Sequence, residues 1–181
     1  RLLSLIQREI DFATSGRKAE IFLKVNNLVD EEIVQLLYRA SQAGVKIRMI
    51  IRGMCSLMPG LPGKSQNIKI ISVLDRYLEH ARVYLFHNGG DTALYISSAD
   101  WMTRNIDQRV EVGVPVYDNR IKQQIISTLD IQWRDNVKAR IIDGKHLNAY
   151  VKRGNKRNVR SQQEIYHFLA RQQAVQVDTD N

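Results

Sequence analysis

Residues 19–52 constrain the fold more than any other stretch of this chain. Ala19-Glu20-Ile21-Phe22-Leu23-Lys24-Val25-Asn26 is a mostly apolar run that ends in polar groups, the pattern of a buried strand. Asp30 stands where a helix cap belongs, and Ile33, Leu36, Leu37 and Ala40 then share one helical face until Gly44 terminates the pattern. A second apolar run over 45–52 follows at once. Strand, helix and strand with short links make a βαβ unit, whose two strands run parallel through a right-handed crossover. Ligands gather at the carboxyl ends of strands in such sheets, and Lys24, Asn26, Asn27 and Arg52 fall there.

The remaining periodicities extend this unit. Leu2, Leu3, Ile6 and Ile10 recur at helical spacing, with a stop at Ser15-Gly16. Strands are expected over 68–73, 82–86, 93–97 and 110–116, with Asn88-Gly89-Gly90-Asp91 turning a hairpin between the second and third of these. Ile121, Ile125, Leu129 and Trp133 form one stripe of a helix over 118–133, and a short last helix spans about 161–171. The expected fold is therefore α/β, a mixed and mostly parallel sheet flanked by helices. It forms a single domain over 1–181, with an α/β catalytic half at 1–133 and a basic C-terminal extension at 134–181. The chain begins with Arg1, inside a helical pattern, so a fragment of a larger enzyme is expected.

A length of 181 residues with 44% hydrophobic content suffices for one core. The net charge of +8 favours an anionic partner: nucleic acid, nucleotide, phosphorylated metabolite or acidic membrane surface. A single cysteine, Cys55, excludes an internal disulfide framework and a cysteine-based zinc site, which fits a reducing cytoplasm. It reads most simply as a small buried apolar group. No apolar run has the length of a bilayer span, and no Walker loop or GxGxxG is present. His87, His146 and His167 lack metal-ligand spacing, so no metal site is expected within the chain.

His80 and Arg82 carry the chemistry best. Two residues apart where a strand begins, they can point the same way, setting an imidazole that titrates near neutrality beside a fixed cation that grips phosphate. The competing reading is a hydrogen-bonded structural histidine. Ser97-Ser98-Ala99-Asp100-Trp101 closes the next strand, and the hairpin returns its hydroxyls and carboxylate towards His80. Arg52 precedes Gly53, where a phosphate can approach the backbone, or it is a surface arginine on a turn. Lys24 sits in a hydrophobic strand, so it either reaches an anion at the sheet edge or extends to water. Residues 134–160 are rich in lysine and arginine and read as a solvated face or a polyanion groove; their few aromatics weigh against a single-stranded nucleic-acid binder.

Lys24-Val25-Asn26-Asn27-Leu28-Val29-Asp30, Ala40-Ser41-Gln42-Ala43-Gly44-Val45, Ile51-Arg52-Gly53-Met54-Cys55, Asp75-Arg76-Tyr77-Leu78-Glu79-His80, Asn88-Gly89-Gly90 and Ile96-Ser97-Ser98-Ala99-Asp100-Trp101-Met102 occur in one order. Together they resemble the C-terminal catalytic domain of bacterial type 1 polyphosphate kinase. The resemblance runs from near Arg1 to about Val159. It implies a domain similar to one half of a phospholipase D fold, in an enzyme that reversibly moves the terminal phosphate of ATP onto polyphosphate through a phosphohistidine on a preceding domain. By motif position, His80 resembles a histidine that contacts ATP and assists transfer, and Arg52 resembles an arginine that binds the nucleotide phosphates. Arg82, Lys24, Arg76 and Arg104 fit the spreading of phosphoryl charge. Magnesium is implied as a cofactor of the whole enzyme, with ligands outside this chain.

ADP, polyphosphate, upstream domains of the same polypeptide and a homo-oligomer are the implied partners, in the cytoplasm or at a membrane. The phospholipase D pattern itself is only partly kept: Arg82 replaces a lysine, and His87 stands where an aspartate belongs. Two alternatives stay open. One is a phospholipase D type phosphodiesterase or nuclease acting as a dimer, each chain giving one histidine; the other is a basic nucleic-acid-binding module.

Overall fold

The computed structural model describes residues 2–145 and 147–179; the expectation for His146 lies outside them. Asp30 accepts a hydrogen bond from Ile33 N at 3.0 Å and so caps the helix that the sequence places after it. In chain order the elements are α1 (Leu2–Thr14), β1 (Glu20–Val25), α2 (Glu31–Gln42), β2 (Lys46–Ile51), β3 (Ile68–Val73), β4 (Arg82–Phe86), β5 (Ala93–Ser97), α3 (Thr103–Asp107), β6 (Gly113–Pro115), α4 (Asn119–Trp133), β7 (Ala139–Ile142) and α5 (Ser161–Thr179). One seven-stranded sheet has the order β6-β5-β4-β1-β2-β3-β7.

The sheet is mixed, but the expectation of a mostly parallel one needs correcting. Only β1–β2 and β2–β3 are parallel; β1–β4, β4–β5, β5–β6 and β3–β7 are antiparallel. A parallel pair needs a long crossover, which α2 supplies between β1 and β2. The tight turn at Asn88–Gly90, with Asn88, Gly89 and Gly90 all at positive φ, can join only antiparallel neighbours.

Pleating sorts the side chains into two buried layers. Ile21, Leu23, Val25, Ile47, Met49 and Ile51 share a core with α1 and α2, whereas Phe22, Ile50, Ile71, Val73 and Val83 pack with Leu129 of α4. Lys24, two residues from Phe22, projects on the α4 side. On that side Arg48 lies 4.1 Å from the Phe22 ring centre and pairs with Asp130 at 3.0 Å.

Three other expectations change. The strand over 110–116 shrinks to β6, with Val110, Val112 and Val114 exposed. The basic stretch contributes β7 to the sheet edge, and α5 continues past residue 171.

Candidate active site at the carboxyl ends of β1 and β2

The chain leaves β1 through Asn26 and Asn27, and these amides organise what surrounds them. Asp100 follows β5 and is 6% exposed. One of its oxygens accepts from Asn26 N at 2.8 Å and from Arg82 Nε at 3.1 Å; the other accepts from Asn27 Nδ2 at 3.1 Å. Buried Trp101 locks the segment, because Trp101 N donates to Asn27 O and Trp101 O accepts from Val29 N and Asp30 N. Burial pushes the Asp100 carboxyl up, yet Arg82 and the two asparagines outweigh it and hold the group below its usual value.

Arg52 leaves β2 at the same end. Its Nε donates to Asn26 Oδ1 at 2.6 Å, and among the described residues no carboxylate lies within ion-pair distance. Gly53 makes the approach feasible: a Cβ there would overlap Asn27 Oδ1 and stand 2.9 Å from Asn26 O. Close backbone contact with β1 thus accounts for the glycine.

His80 precedes β4 rather than lying in it, and its side chain is exposed. Its Nε2 is 3.3 Å from Arg82 Nη2. A guanidinium only donates, so in this contact Nε2 is the acceptor. His80 thus lies against Arg82 although it precedes the strand, while Glu79 turns to Lys24, Gln132 and Gln162. A continuous series of contacts links Arg52, Asn26, Asp100, Arg82 and His80. His80 and Arg52, both singled out in the sequence, thus lie at the same end of the sheet and are linked through Asn26, Asp100 and Arg82.

Lys24 is 8% exposed in its side chain, and its ammonium pairs with Glu79 at 2.5 Å. Gln132 and Gln162 hold the same carboxylate at 2.8 and 3.0 Å. Burial raises Glu79, but the Lys24 charge and these amides bring it below its usual value. Arg76 is exposed and lies 5.6 Å from the Tyr77 ring centre, and Arg104 is exposed on α3. Sequence reasoning had no signal for Gln132, Gln162 or Arg160, which reach this region from 53 to 85 positions away along the chain. Nor did it show Glu111, which accepts from Ser98 Oγ and from Asn105 Nδ2. Among the described residues, no group of three or more histidine, cysteine, aspartate or glutamate side chains could hold a metal ion.

Lys24, Arg52, Glu79 and Gln132 line a narrow cleft. A far larger cavity, about 780 Å³, lies elsewhere, between β3, β7 and residues 151–159. Charge and hydrogen bonding, rather than cavity size, make the His80 end the candidate site.

A family model described as polyphosphate kinase C-terminal domain 2 matches residues 1–162. The chain belongs to that family. A polyphosphate kinase of Vibrio vulnificus strain YJ016 is 61% identical over 169 residues, covering 93% of this chain and 24% of its own length. The crystal structure of polyphosphate kinase from Porphyromonas gingivalis superposes with a TM-score of 0.92 at 44% identity, over 95% of this chain and 26% of that one. The chain thus spans about a quarter of the length of those relatives. Nuc from Salmonella typhimurium, a phospholipase D family member, shares the fold at a TM-score of 0.53 and 14% identity, over 75% of this chain and 89% of that one. No helix among the described residues is long and apolar enough to cross a membrane.

Proposed function

We propose that this domain forms one wall of a polyphosphate kinase active site, in which the terminal phosphate of ATP passes reversibly to polyphosphate through a phosphohistidine outside these 181 residues. In the forward direction the bond from the γ-phosphorus to the β,γ-bridging oxygen breaks as a phosphorus–nitrogen bond forms, releasing ADP. A terminal oxygen of polyphosphate then displaces that nitrogen. The linked series from Arg52 to His80 carries the reading, because it offers a cation without a carboxylate partner and an exposed imidazole on a common frame. Arg52 binds the nucleotide phosphates, and His80 stands at the reacting phosphoryl group.

Arg82 and Lys24 reach the anion in competition with Asp100 and Glu79, whereas Arg76 and Arg104 are exposed and open to it. Magnesium enters this proposal with ATP. The described side chains do not fit a protein-ligated ion, so no step here is assigned to the metal. A cytoplasmic location, membrane attachment, homo-oligomerisation and docking of upstream domains rest on the family alone. A single domain over 1–181, with the catalytic residues within 1–133 and an extension at 134–181 that adds β7 to the same sheet, is part of the same proposal.

The test uses the full-length enzyme. Arg52→Ala should raise the KM for ATP roughly tenfold or more, as loss of a charge-assisted phosphate contact does. His80→Ala should lower kcat about a hundredfold. Unchanged kinetics in both variants would refute the assignment, and steady polyphosphate synthesis by the isolated 181-residue chain would place the nucleophile inside it. Hydrolysis of a chromogenic phosphodiester, abolished by His80→Ala, would point instead to phosphodiesterase chemistry.

A further inference from the structure

Residues 74–81 carry His80 but belong to no helix or strand, so regular backbone pairing does not fix their course. Side chains do so instead. Asp75, 3% exposed in its side chain, accepts from Arg160 Nε and Nη2 at 2.7 Å each, a two-pronged pair that sets both distance and plane. Gln162 grips the Tyr77 peptide on both sides: its Oε1 accepts from Tyr77 N at 3.0 Å and its Nε2 donates to Tyr77 O at 2.8 Å. The same Nε2 reaches Glu79 Oε1 at 3.0 Å. Asp75, Tyr77 and Glu79, alternate positions leading to His80, are thus all held by Arg160, just before α5, and Gln162, in its first turn.

That support is itself anchored. Ser161, between the two, donates from both N and Oγ to Asp135 Oδ2 at 2.7 Å. Asp135 is fully buried, and its other oxygen accepts from the backbone N–H groups of Val137, Lys138 and Ala139, at the start of β7. A rigid connection therefore runs from the sheet edge through Asp135 and Ser161 to the segment bearing His80.

We propose that Arg160 and Gln162 are positioning residues for His80, acting through Asp75, Tyr77 and Glu79 to hold the imidazole against Arg82 at the mouth of the site. The inference rests on the role given to His80 above. It also assigns a task to a stretch whose charge alone suggests a solvated face or a polyanion groove. Arg160 is engaged by a buried carboxylate, so at this position the basic segment braces a reactive loop.

The experiment is a kinetic cycle in the full-length enzyme with Arg160→Ala, His80→Ala and the double variant, each checked for an unaltered melting temperature. Arg160→Ala should lower kcat roughly tenfold to a hundredfold, the cost of misplacing a reacting group by about 1 Å, while the KM for ATP changes by less than about threefold. In the His80→Ala background the same substitution should cost less than about twofold more, because residues acting through one group are not additive. Arg160→Lys should restore kcat only in part, since an ammonium cannot make the forked pair.

Should Arg160→Ala fold poorly, Gln162→Leu, which removes the Tyr77 and Glu79 contacts from a partly exposed site, replaces it in the cycle with the same expectation. Full multiplicative losses in the double variant, or wild-type kcat in the Arg160 or Gln162 single variants beside an impaired His80→Ala, would overturn the positioning role while leaving that of His80 intact. A fully active His80→Ala enzyme would remove both.

Discussion

Replacing Asp100 by asparagine keeps the side chain's size but removes the charge shared by Arg82 and the Asn26 and Asn27 amides. Arg82 is only 15% exposed in its side chain, so it would be left as a poorly solvated cation. Removing one partner of a largely buried pair costs about 3 kcal/mol, which a urea titration of Asp100→Asn should read. The pH dependence follows from the depressed carboxyl. A group held below its unfolded value contributes stability that is complete above the ordinary carboxylate range, near ~4, and lost as pH falls through the folded value. Glu79, Asp75 and Asp135 shift the same way, so the urea midpoint should stay level from neutrality to about pH 5 and drop below about pH 4. Asp100→Asn should make that drop shallower, and a drop unchanged by the substitution would count against the pairing. Asp100 and Arg82 were both visible in the sequence, but their pairing was not. Strand alternation aligned Arg82 with His80, whereas the carboxylate arrives across a hairpin whose depth no local pattern reports.

Two sharp turns at the sheet end depend on small local details that the sequence displays. Asp30 caps α2 and also accepts from Thr103 Oγ1 at 3.1 Å, so Asp30→Ala should cost about 1–2 kcal/mol in urea. Gly53→Ala acts differently. The added methyl would press on Asn27 Oδ1, which accepts from Met54 N, and on Asn26 O, which accepts from Gly53 N, so the turn that carries Arg52 would shift and the KM for ATP should rise several-fold. A Gly53→Ala enzyme with normal KM would show that the Arg52 turn can move without consequence. The elements that escaped the sequence reading share one cause. In β7, Arg140 interrupts Ala139, Ile141 and Ile142, and the surrounding lysines and arginines hide a four-residue strand. The alternation of Val110, Val112, Val114 and Val116 signals a longer strand than exists, because only Gly113–Pro115 pairs and only Val116 packs against the core. Short edge strands receive little burial, so their sequences carry little pattern.

At the scale of the whole molecule, the antiparallel half of the sheet is what completes the site. Arg52 follows the carboxyl end of β2, and His80 precedes the amino end of β4. Had β4 run parallel to β1, those ends would lie at opposite edges of the sheet; because β4 is antiparallel, they coincide. The βαβ unit was legible because one cap and one terminator bound α2. The reversal of β4 was legible only through the Asn88–Gly90 hairpin, which fixes β4 against β5 and says nothing of β1. The closing strand raises the last expectation. β7 pairs along β3 through Val73↔Ala139 and Ile71↔Ile141, and Ala139 packs in the same buried layer as Phe22 and Leu129. Ending the chain after Trp133 would uncover this face, leave β3 as an unpaired edge, and delete Asp135 with the five hydrogen bonds it accepts. Exposing even a few hundred square ångströms of apolar surface at about 25 cal/mol per Å² takes several kcal/mol from a fold stabilised by about 5–15. A chain ending at Trp133 should therefore show no cooperative urea transition by tryptophan fluorescence, whereas one ending at Arg171 should unfold within about 1 kcal/mol of the 181-residue chain. Cooperative unfolding of the shorter chain would mean that β1–β6 and α1–α4 close a core without the basic segment, making that segment an appendage rather than a structural part of the domain.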